Sequence, residues 1–598
     1  MTKTQEFEEK TKALIDDLKS VCANYGLGND GNEFKIITQV FLYKFLNDKF
    51  AYEIKQLDED IANAENWEDA LKALSKDDYE MLTMQLSEST AVIHPDYFIS
   101  SLFNQQGKSG GKSDDKPDDK SDGKSDGKSD GKSDGKSDGK SDGKSDGKSD
   151  GKSDGKSDED NNSGFAGIFD TTLTSIAKDN LNIFSVSTEG GEKIALFENL
   201  SKYVIDNPNS FCVAIINKLV GFSFENIFDE KFDFYAGIFE YLIKDYNTNS
   251  GGKYAEYFTP HAVSKIMARC LVSEQEVGKV NDVTCYDPSA GSGSLLMNLA
   301  HQIGEDKCTI YSQDISQKSS SLLRLNLILN NLVHSIHNVI KGNTILNPYH
   351  TQENGELTQF DYIVSNPPFK LDFSDFVGEL DTKENHERFF AGIPKEPAKK
   401  KESMAIYLLF LQHVMFSLKE NGKAAVVVPT GFITAQSGID KKIRKKLVDE
   451  KMLAGVVSMP SNIFANTGTN VSILFIDKSN KEGVVLVDAS SLGETVKEGK
   501  NQKTVLTADE ENQIISTFND KKAVDDFSVV VSYEDIAAKN YSLSAGQYFE
   551  VKIEHVDISQ EEFETKLDAF NSKLSSLFSE SNDLESEIKN SLLGLKYE

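Results

Sequence analysis

The chain is poor in the residues that build small, cross-linked or membrane-bound proteins. Its five cysteines in 598 residues, Cys22, Cys212, Cys270, Cys285 and Cys308, form no Cys-x-x-Cys pair. That excludes a disulfide frame or a zinc ribbon and leaves buried thiols in a reducing compartment. There is no run of about 18 apolar residues to cross a bilayer. The first residues, Met1 to Glu6, lead into a charged amphipathic helix and not into an apolar leader. The expected setting is therefore cytoplasmic, with no membrane contact. Basic residues are also short: 65 Lys and Arg face 96 Asp and Glu, a net charge of -31. So acidic a surface repels phosphate, and contact with nucleic acid then needs a local basic patch or a basic partner. The candidates within the chain are Lys395 to Lys401 and Lys441 to Lys446. Prolines number only 12, so two side by side carry information.

They occur in Asn366-Pro367-Pro368-Phe369, directly after the strand-like run Asp361-Tyr362-Ile363-Val364-Ser365. Both prolines have a locked φ and no N–H, which stiffens the loop and leaves the Pro367 carbonyl free to accept a hydrogen bond. Asn366 supplies a second acceptor. Two acceptors on one NH2 group hold it and turn its nitrogen lone pair toward an electrophile, while Phe369 offers a stacking face. The pattern points to methyl transfer onto an exocyclic amine. The plain alternative is a tight Pro-Pro turn after a strand.

Upstream, the short buried strand Val283-Thr284-Cys285-Tyr286 runs into Asp287-Pro288-Ser289-Ala290-Gly291-Ser292-Gly293-Ser294 and then a helix-like stretch. Glycines at such a turn let a ligand approach backbone N–H groups that converge at a helix start. The dinucleotide pattern G-x-G-x-x-G is excluded, because Leu296 stands where the third glycine would fall. A phosphate-free cofactor fits better. The next strand, Thr309 to Gln313, ends in Asp314, the place from which an acid takes ribose hydroxyls in a doubly wound sheet.

Asp287 to Gly293 together with Asn366 to Phe369 resembles the amino-methyltransferases that use S-adenosylmethionine, and Tyr257-Phe258-Thr259-Pro260 is similar to their cofactor-closing motif. Glu256 to His261, Arg324-Leu325-Asn326-Leu327-Ile328-Leu329 and Gly342-Asn343-Thr344-Ile345-Leu346-Asn347-Pro348 narrow the resemblance to the modification subunit of type I restriction-modification systems, over most of residues 1–550. The resemblance implies methylation of adenine N6 in double-stranded DNA, beside a specificity subunit and a restriction subunit, with no metal. It assigns catalysis to Asn366, Pro367, Pro368 and Phe369. Cofactor binding falls to Glu256, Tyr257, Phe258, Thr259, Pro260, His261, Asp287, Ser289, Ala290, Gly291, Ser292, Gly293, Asp314 and Asn343. Many members of the wider class have an aspartate where Asn343 stands; an Asn oxygen can still accept from the cofactor's adenine amine. Three alternatives stay open: a protein-glutamine methyltransferase, which usually has Tyr where Phe369 stands; a cytosine-N4 methyltransferase, which favours Ser at the Asn366 position; and an inactive scaffold on DNA.

The expected fold class is α/β, a doubly wound methyltransferase sheet of Rossmann type, with an N-terminal all-helical domain and a C-terminal helical tail. Helical periodicity over 1–106, as in Phe34, Ile37, Phe41 and Phe45, resumes over 161–247, so residues 107–160 interrupt one domain. The interrupting Ser-Asp-Gly-Lys repeats have nothing apolar to bury and are expected to be disordered. Their Gly-Lys-Ser is no phosphate loop, since these glycines recur every four residues and that motif needs them five apart. The methyltransferase domain is expected over 248–480 and an extension over 481–555. In the tail, 556–598, Phe563, Leu567, Phe570, Leu574, Leu577, Leu584 and Ile588 step by fours and threes as a coiled-coil seam, and the resemblance implies that this region meets the specificity subunit.

Deleting residues 107–158 should leave the melting temperature unchanged and cofactor binding and methylation within about twofold, because loop-closure entropy changes only slowly with length. A clearly lowered melting temperature would show that the tract packs on the protein.

Overall fold

In the computed structural model, the structure describes residues 3–28, 31–106, 164–228, 238, 241–242, 259–383, 385–464, 470–498, 501–549 and 558–593. The Ser-Asp-Gly-Lys repeats and the motif residues Glu256, Tyr257 and Phe258 lie outside them. The chain divides into two units, Met1–Tyr548 and Phe549–Glu598.

Helix Lys3–Asn24 buries Phe7, Leu14, Ile15, Leu18, Val21 and Cys22 at helical spacing, so one stripe faces inward. Helix Gly31–Leu57 instead buries Ile36, Ile37, Val40, Phe41, Leu42, Tyr43, Phe45 and Leu46, residues on every side, and so runs through the middle of its bundle. Segments from both sides of residues 107–160 share this core. Phe41 and Phe45 meet Phe224 edge-on, with ring centroids 5.3 and 5.5 Å away. The amide of Asn180 accepts from Val92 N and donates to Val92 O, both at 2.9 Å.

Eleven strands form the main sheet. In chain order the strands are β1 (Val186–Thr188), β2 (Lys193–Ile194), β3 (Val283–Asp287), β4 (Cys308–Asp314), β5 (Val339–Lys341), β6 (Phe360–Ser365), β7 (Leu418–Pro429), β8 (Leu453–Ser458), β9 (Val471–Asp477), β10 (Val484–Asp488), β11 (Glu494–Glu498), β12 (Asn501–Val505) and β13 (Ser528–Val531). The order across the main sheet is β13-β10-β8-β9-β7-β6-β3-β4-β5-β1-β2, while β11 and β12 pair as a separate hairpin. From β5 to β7 every pairing is parallel; β9 runs antiparallel between β7 and β8. Most residues of β6, β9 and β10 are buried, as strands covered on both faces require, and they read as continuous apolar runs. This is the expected doubly wound α/β class.

Two additions lie at the sheet's edges. Strands β10 and β13, from the 481–555 region, extend it past β8. On the other side β1, from the otherwise helical N-terminal region, pairs parallel with β5, and β2 turns back along it. A buried cation secures this second edge. Arg324, in helix Gln317–Leu329, donates from Nη1 to the carbonyls of Phe184, Ile194 and Ala195 at 3.3, 3.0 and 2.9 Å. Burial pulls its pKa down to about 10, so it remains cationic at neutral pH.

The second unit contains helix Gln560–Leu593. Phe563, Leu567, Phe570, Leu574, Leu577, Leu584 and Ile588 along it are each about half exposed or more, from 47% for Leu567 to 69% for Phe570. No helix among the described residues is long and apolar enough to cross a membrane.

Arg324→Leu should destabilise the fold by at least about 2 kcal/mol, because buried carbonyls lose their donor. Arg324→Lys should not rescue it, since a single ammonium lacks the planar fork whose second nitrogen, Nη2, also reaches the Leu196 carbonyl at 3.5 Å. Thermal and denaturant melts check both; a wild-type midpoint in either variant would show that the edge hairpin is held by other contacts.

Candidate functional site

Strand order reverses between β3 and β6, the neighbours from which the chain winds outward in both directions. In an open α/β sheet the crevice at that point, at the carboxyl ends of the strands, is where ligands sit. After β3, Asp287 accepts from Ser289 N at 2.9 Å. The Ser289 hydroxyl shares a 2.8 Å hydrogen bond with that of Ser365, the last residue of β6. The turn closes with Gly293 N donating to Ala290 O at 2.8 Å. Gly293, at φ 86°, has no room for a side chain: an added Cβ would stand 2.3 Å from Leu323 Cδ1. Behind the turn, Ser292 is buried with its hydroxyl against Ser294, and its carbonyl accepts from Asn326 Nδ2 at 2.8 Å. Thr344 Oγ1 donates to Pro288 O at 2.7 Å.

Asp314 ends β4 beside this turn. One of its oxygens accepts from Gly291 N at 3.0 Å and the other from Ser316 N at 2.8 Å, which leaves each oxygen a further lone pair. Asn343, after β5, is placed differently from the expectation of a free acceptor. Its Oδ1 takes the N–H groups of Ile345 and Leu346 at 3.1 and 3.2 Å and caps the turn that follows.

Asn366 leaves β6 half-buried, with Pro367 buried and Pro368 exposed. Its Nδ2 donates to Thr259 Oγ1 at 3.1 Å, so Oδ1 is the group left to accept. Thr259 is buried, and Pro260 caps helix His261–Leu271 by accepting from Ser264 N at 3.1 Å. The Phe369 ring stands edge-on to Tyr407, centroids 6.2 Å apart, and the Tyr407 hydroxyl donates to Asp440 at 2.6 Å. The structure thus brings Thr259, Asp287, Ser289, Gly291, Asp314 and Asn366 to one crevice. An open hollow of about 400 Å³ lies elsewhere, lined by Gln359, Leu418, Glu420, Glu450, Met452 and Lys478 near the opposite, amino ends of the parallel strands.

Electrostatically the crevice is acidic. Neither Asp287 nor Asp314 has an ion-pair partner among the described residues. Burial pushes the Asp287 pKa up to about 8, the Ser289 N–H opposes this, and the neighbouring Asp314 carboxylate adds to it. Asp314 is raised too, by burial, against the N–H groups of Ser316 and Gly291. The two lysine runs differ. In the second, Lys445 pairs with Asp449, Lys446 with Glu450 at 2.7 Å, and Arg444 is buried against backbone carbonyls. In the first, Lys401 pairs with Glu396 at 2.6 Å, while Lys395, Lys399 and Lys400 are exposed and have no ion pair among the described residues. No cluster of His, Cys, Asp or Glu among the described residues could hold a metal ion.

A profile of the N-6 DNA methylase family matches residues 230–557, more than half of the chain and the whole crevice. The chain belongs to the N-6 DNA methylase family. Relatives of this methylase include the MpnII methylase subunit of a type I restriction enzyme from Mycoplasma pneumoniae, 30% identical over 61% of this chain and 64% of that protein. Another is the HindI methylase subunit of Haemophilus influenzae, 23% identical over 73% of this chain and 94% of that one. The chain thus spans just under two thirds of the Mycoplasma relative's length. The fold matches the type I restriction-modification methyltransferase subunit from Streptococcus thermophilus, with a TM-score of 0.64 at 21% identity, over 90% of this chain and 99% of that one.

Tyr407 carries no motif in the sequence, and Asn326 and Thr344 stand there only within longer runs. A motif shows which residues precede and follow a turn, but not which distant side chain holds the turn from behind.

Asp287 yields a pH test. Its folded pKa, about 8, is above its ordinary carboxylate value, so the folded chain keeps a proton that the unfolded chain releases. The stabilisation is fully present below pH of about 4 and is lost as pH rises through 8. Relative to Asp287→Asn, which stays neutral, the wild-type melting temperature should therefore fall between about pH 5 and 8. Parallel curves for the two proteins would mean that Asp287 is ionised throughout.

Proposed function

We propose that this N-6 DNA methylase transfers a methyl group from S-adenosylmethionine to the N6 amine of adenine in double-stranded DNA, as the modification subunit of a type I restriction-modification complex. The observation that carries the chemistry is the Asn366 amide. With Nδ2 spent on Thr259, Oδ1 and the carbonyl of Pro367 are the two acceptors for the two hydrogens of one NH2 group. Holding the amine this way draws its lone pair out of conjugation with the base ring and toward the methyl donor. Phe369 stacks on the base, which must first leave the duplex, since a base inside the stack cannot reach Asn366.

The crevice suits this cofactor. S-adenosylmethionine supplies an electrophilic methyl on a sulfonium, and its cationic groups match an acidic crevice, where a nearby positive charge would draw the proton from Asp287 and pair with the carboxylate left behind. Asp314 has a lone pair on each oxygen for the ribose hydroxyls, and the turn 289–293 leaves its outer side to the cofactor. Thr259, Pro260 and His261 close the crevice from the side of Asn366. Positioning and electrostatics then supply most of the rate, because the transfer is a direct displacement.

Family membership favours adenine over cytosine or a glutamine amide as acceptor. The net charge of -31 argues for a partner that carries the complex onto DNA. Lys395, Lys399 and Lys400 are this chain's own contribution to phosphate contact, and the apolar seam of helix Gln560–Leu593 is the surface offered to a specificity subunit, with a restriction subunit joining the assembly. Five free cysteines fit a reducing cytoplasm.

Asn366→Ala should cut N6-methyladenine formation by about a hundredfold or more and leave cofactor affinity nearly unchanged. Phe369→Ala should weaken target-base binding about ten- to a hundredfold, the value of one stacked base. Both are measured with labelled cofactor and DNA in the presence of the specificity subunit. Undiminished N6-methyladenine formation by Asn366→Ala would remove the assignment.

A further inference from the structure

Carboxyl ends of neighbouring strands form a row along the crevice, in the order β6, β3, β4, β5, β1. Asn366 follows β6, the glycine turn follows β3, Asp314 ends β4, Gly342 and Asn343 follow β5, and Glu189 follows β1. Strands lie about 4.8 Å apart, so the row orders a ligand from one end to the other. If the methyl group faces Asn366 and the ribose meets Asp314, the base attached to that ribose points on toward β5 and β1. This step rests on the proposed cofactor.

The acceptor oxygens of two amides at that end are engaged. Asn343 Oδ1 already accepts two backbone N–H groups. Gln313 donates to Asn347 O at 2.8 Å and accepts from Tyr349 N at 3.0 Å, which uses both ends of its amide. Glu189, exposed at the edge of the sheet, keeps one carboxylate oxygen free among the described residues. It sits in a tight hairpin turn held by Thr188 N to Glu192 O and Gly191 N to Thr188 O, both at 2.9 Å, and its own N–H donates to Lys341 O at 2.9 Å. From there its side chain folds back over β5, and Oε2 accepts from Asn343 N at 2.9 Å. Gly342 makes the passage possible: a Cβ at that position would lie 2.4 Å from Glu189 Oε2 and 2.9 Å from its Cβ. The other oxygen, Oε1, has no hydrogen-bond partner among the described residues.

We infer that Glu189, delivered by the edge hairpin of the N-terminal region, is the acceptor that reads the exocyclic amine of the cofactor's base. A carboxylate there accepts from an amino group and repels a ring carbonyl, so it selects adenine over hypoxanthine as well as adding affinity. Asn343 contributes by presenting the N–H that fixes the carboxylate.

Calorimetric titration with S-adenosylhomocysteine and with the analogue carrying hypoxanthine in place of adenine tests this without turnover. The unaltered chain should prefer the adenine compound by about ten- to a hundredfold, the value of a hydrogen bond to a charged group. Glu189→Ala should lose most of that preference, chiefly by weaker binding of the adenine compound, with melting temperature unchanged. Glu189→Gln, which keeps an acceptor oxygen but can also donate to a carbonyl, should tolerate hypoxanthine better than the unaltered chain does. Equal weakening of both compounds in Glu189→Ala, or no change in either, would overturn the inference. An unaltered chain that binds neither compound overturns the cofactor assignment itself, and the role of Glu189 with it.

Discussion

The reversal of strand order between β3 and β6 is the constraint on which the rest of the crevice depends. Chain leaving those two strands turns away in opposite directions, and the gap opens at Asp287 on one side and Ser365 on the other. The hydroxyl pair Ser289–Ser365 ties the two lips together at 2.8 Å. Asn366 follows immediately, so its amide inherits its position from a buried strand and not from a free loop. The two prolines after it remove backbone freedom that would otherwise blur that position. What looks like a loop site is built on rigid elements.

Much of this was legible because the signals are local. A short apolar strand, a glycine turn and a helix start follow one another within the run from Val283 to Ala300, and the structure has them as β3, the turn and helix Ser294–Ile303. The Pro-Pro loop announced itself in the same way. Helix Tyr407–Phe416 stops just short of β7, which starts at Leu418. Strands β1 and β2, of three and two residues, are too short to show any alternation, and their pairing with β5 joins residues some 150 positions apart in sequence. Arg324 donates to carbonyls around them, and those partners carry no side-chain signature. The Asn343 oxygen was expected to face a ligand; local geometry won, since an Asn one to three residues before free N–H groups makes an Asx cap.

The two lysine runs look alike as strings and differ in three dimensions for a similar reason. Lys445 and Lys446 lie on a helix with Asp449 and Glu450 one turn further on, so their charge is neutralised at home. Lys399 and Lys400 lie outside any regular helix and face water. A count of charges ranks the second run higher, but the first holds three exposed lysines without an ion pair among the described residues, and of the second's lysines only Lys441 and Lys442 lack one and donate instead to Asn540 and to the Ala391 carbonyl.

The clamp by Arg324 on the carbonyls around Phe184 to Ala195 reaches beyond stability. It welds a strand of the N-terminal region into the same sheet that carries the crevice, beside β5, so the boundary between the two regions runs through a wall of the site and not around it. The catalytic half is therefore not a detachable module. Cut away from its N-terminal half it would expose the bare edge of β5, and exchanged between relatives the two halves would have to travel together, as one inherited piece.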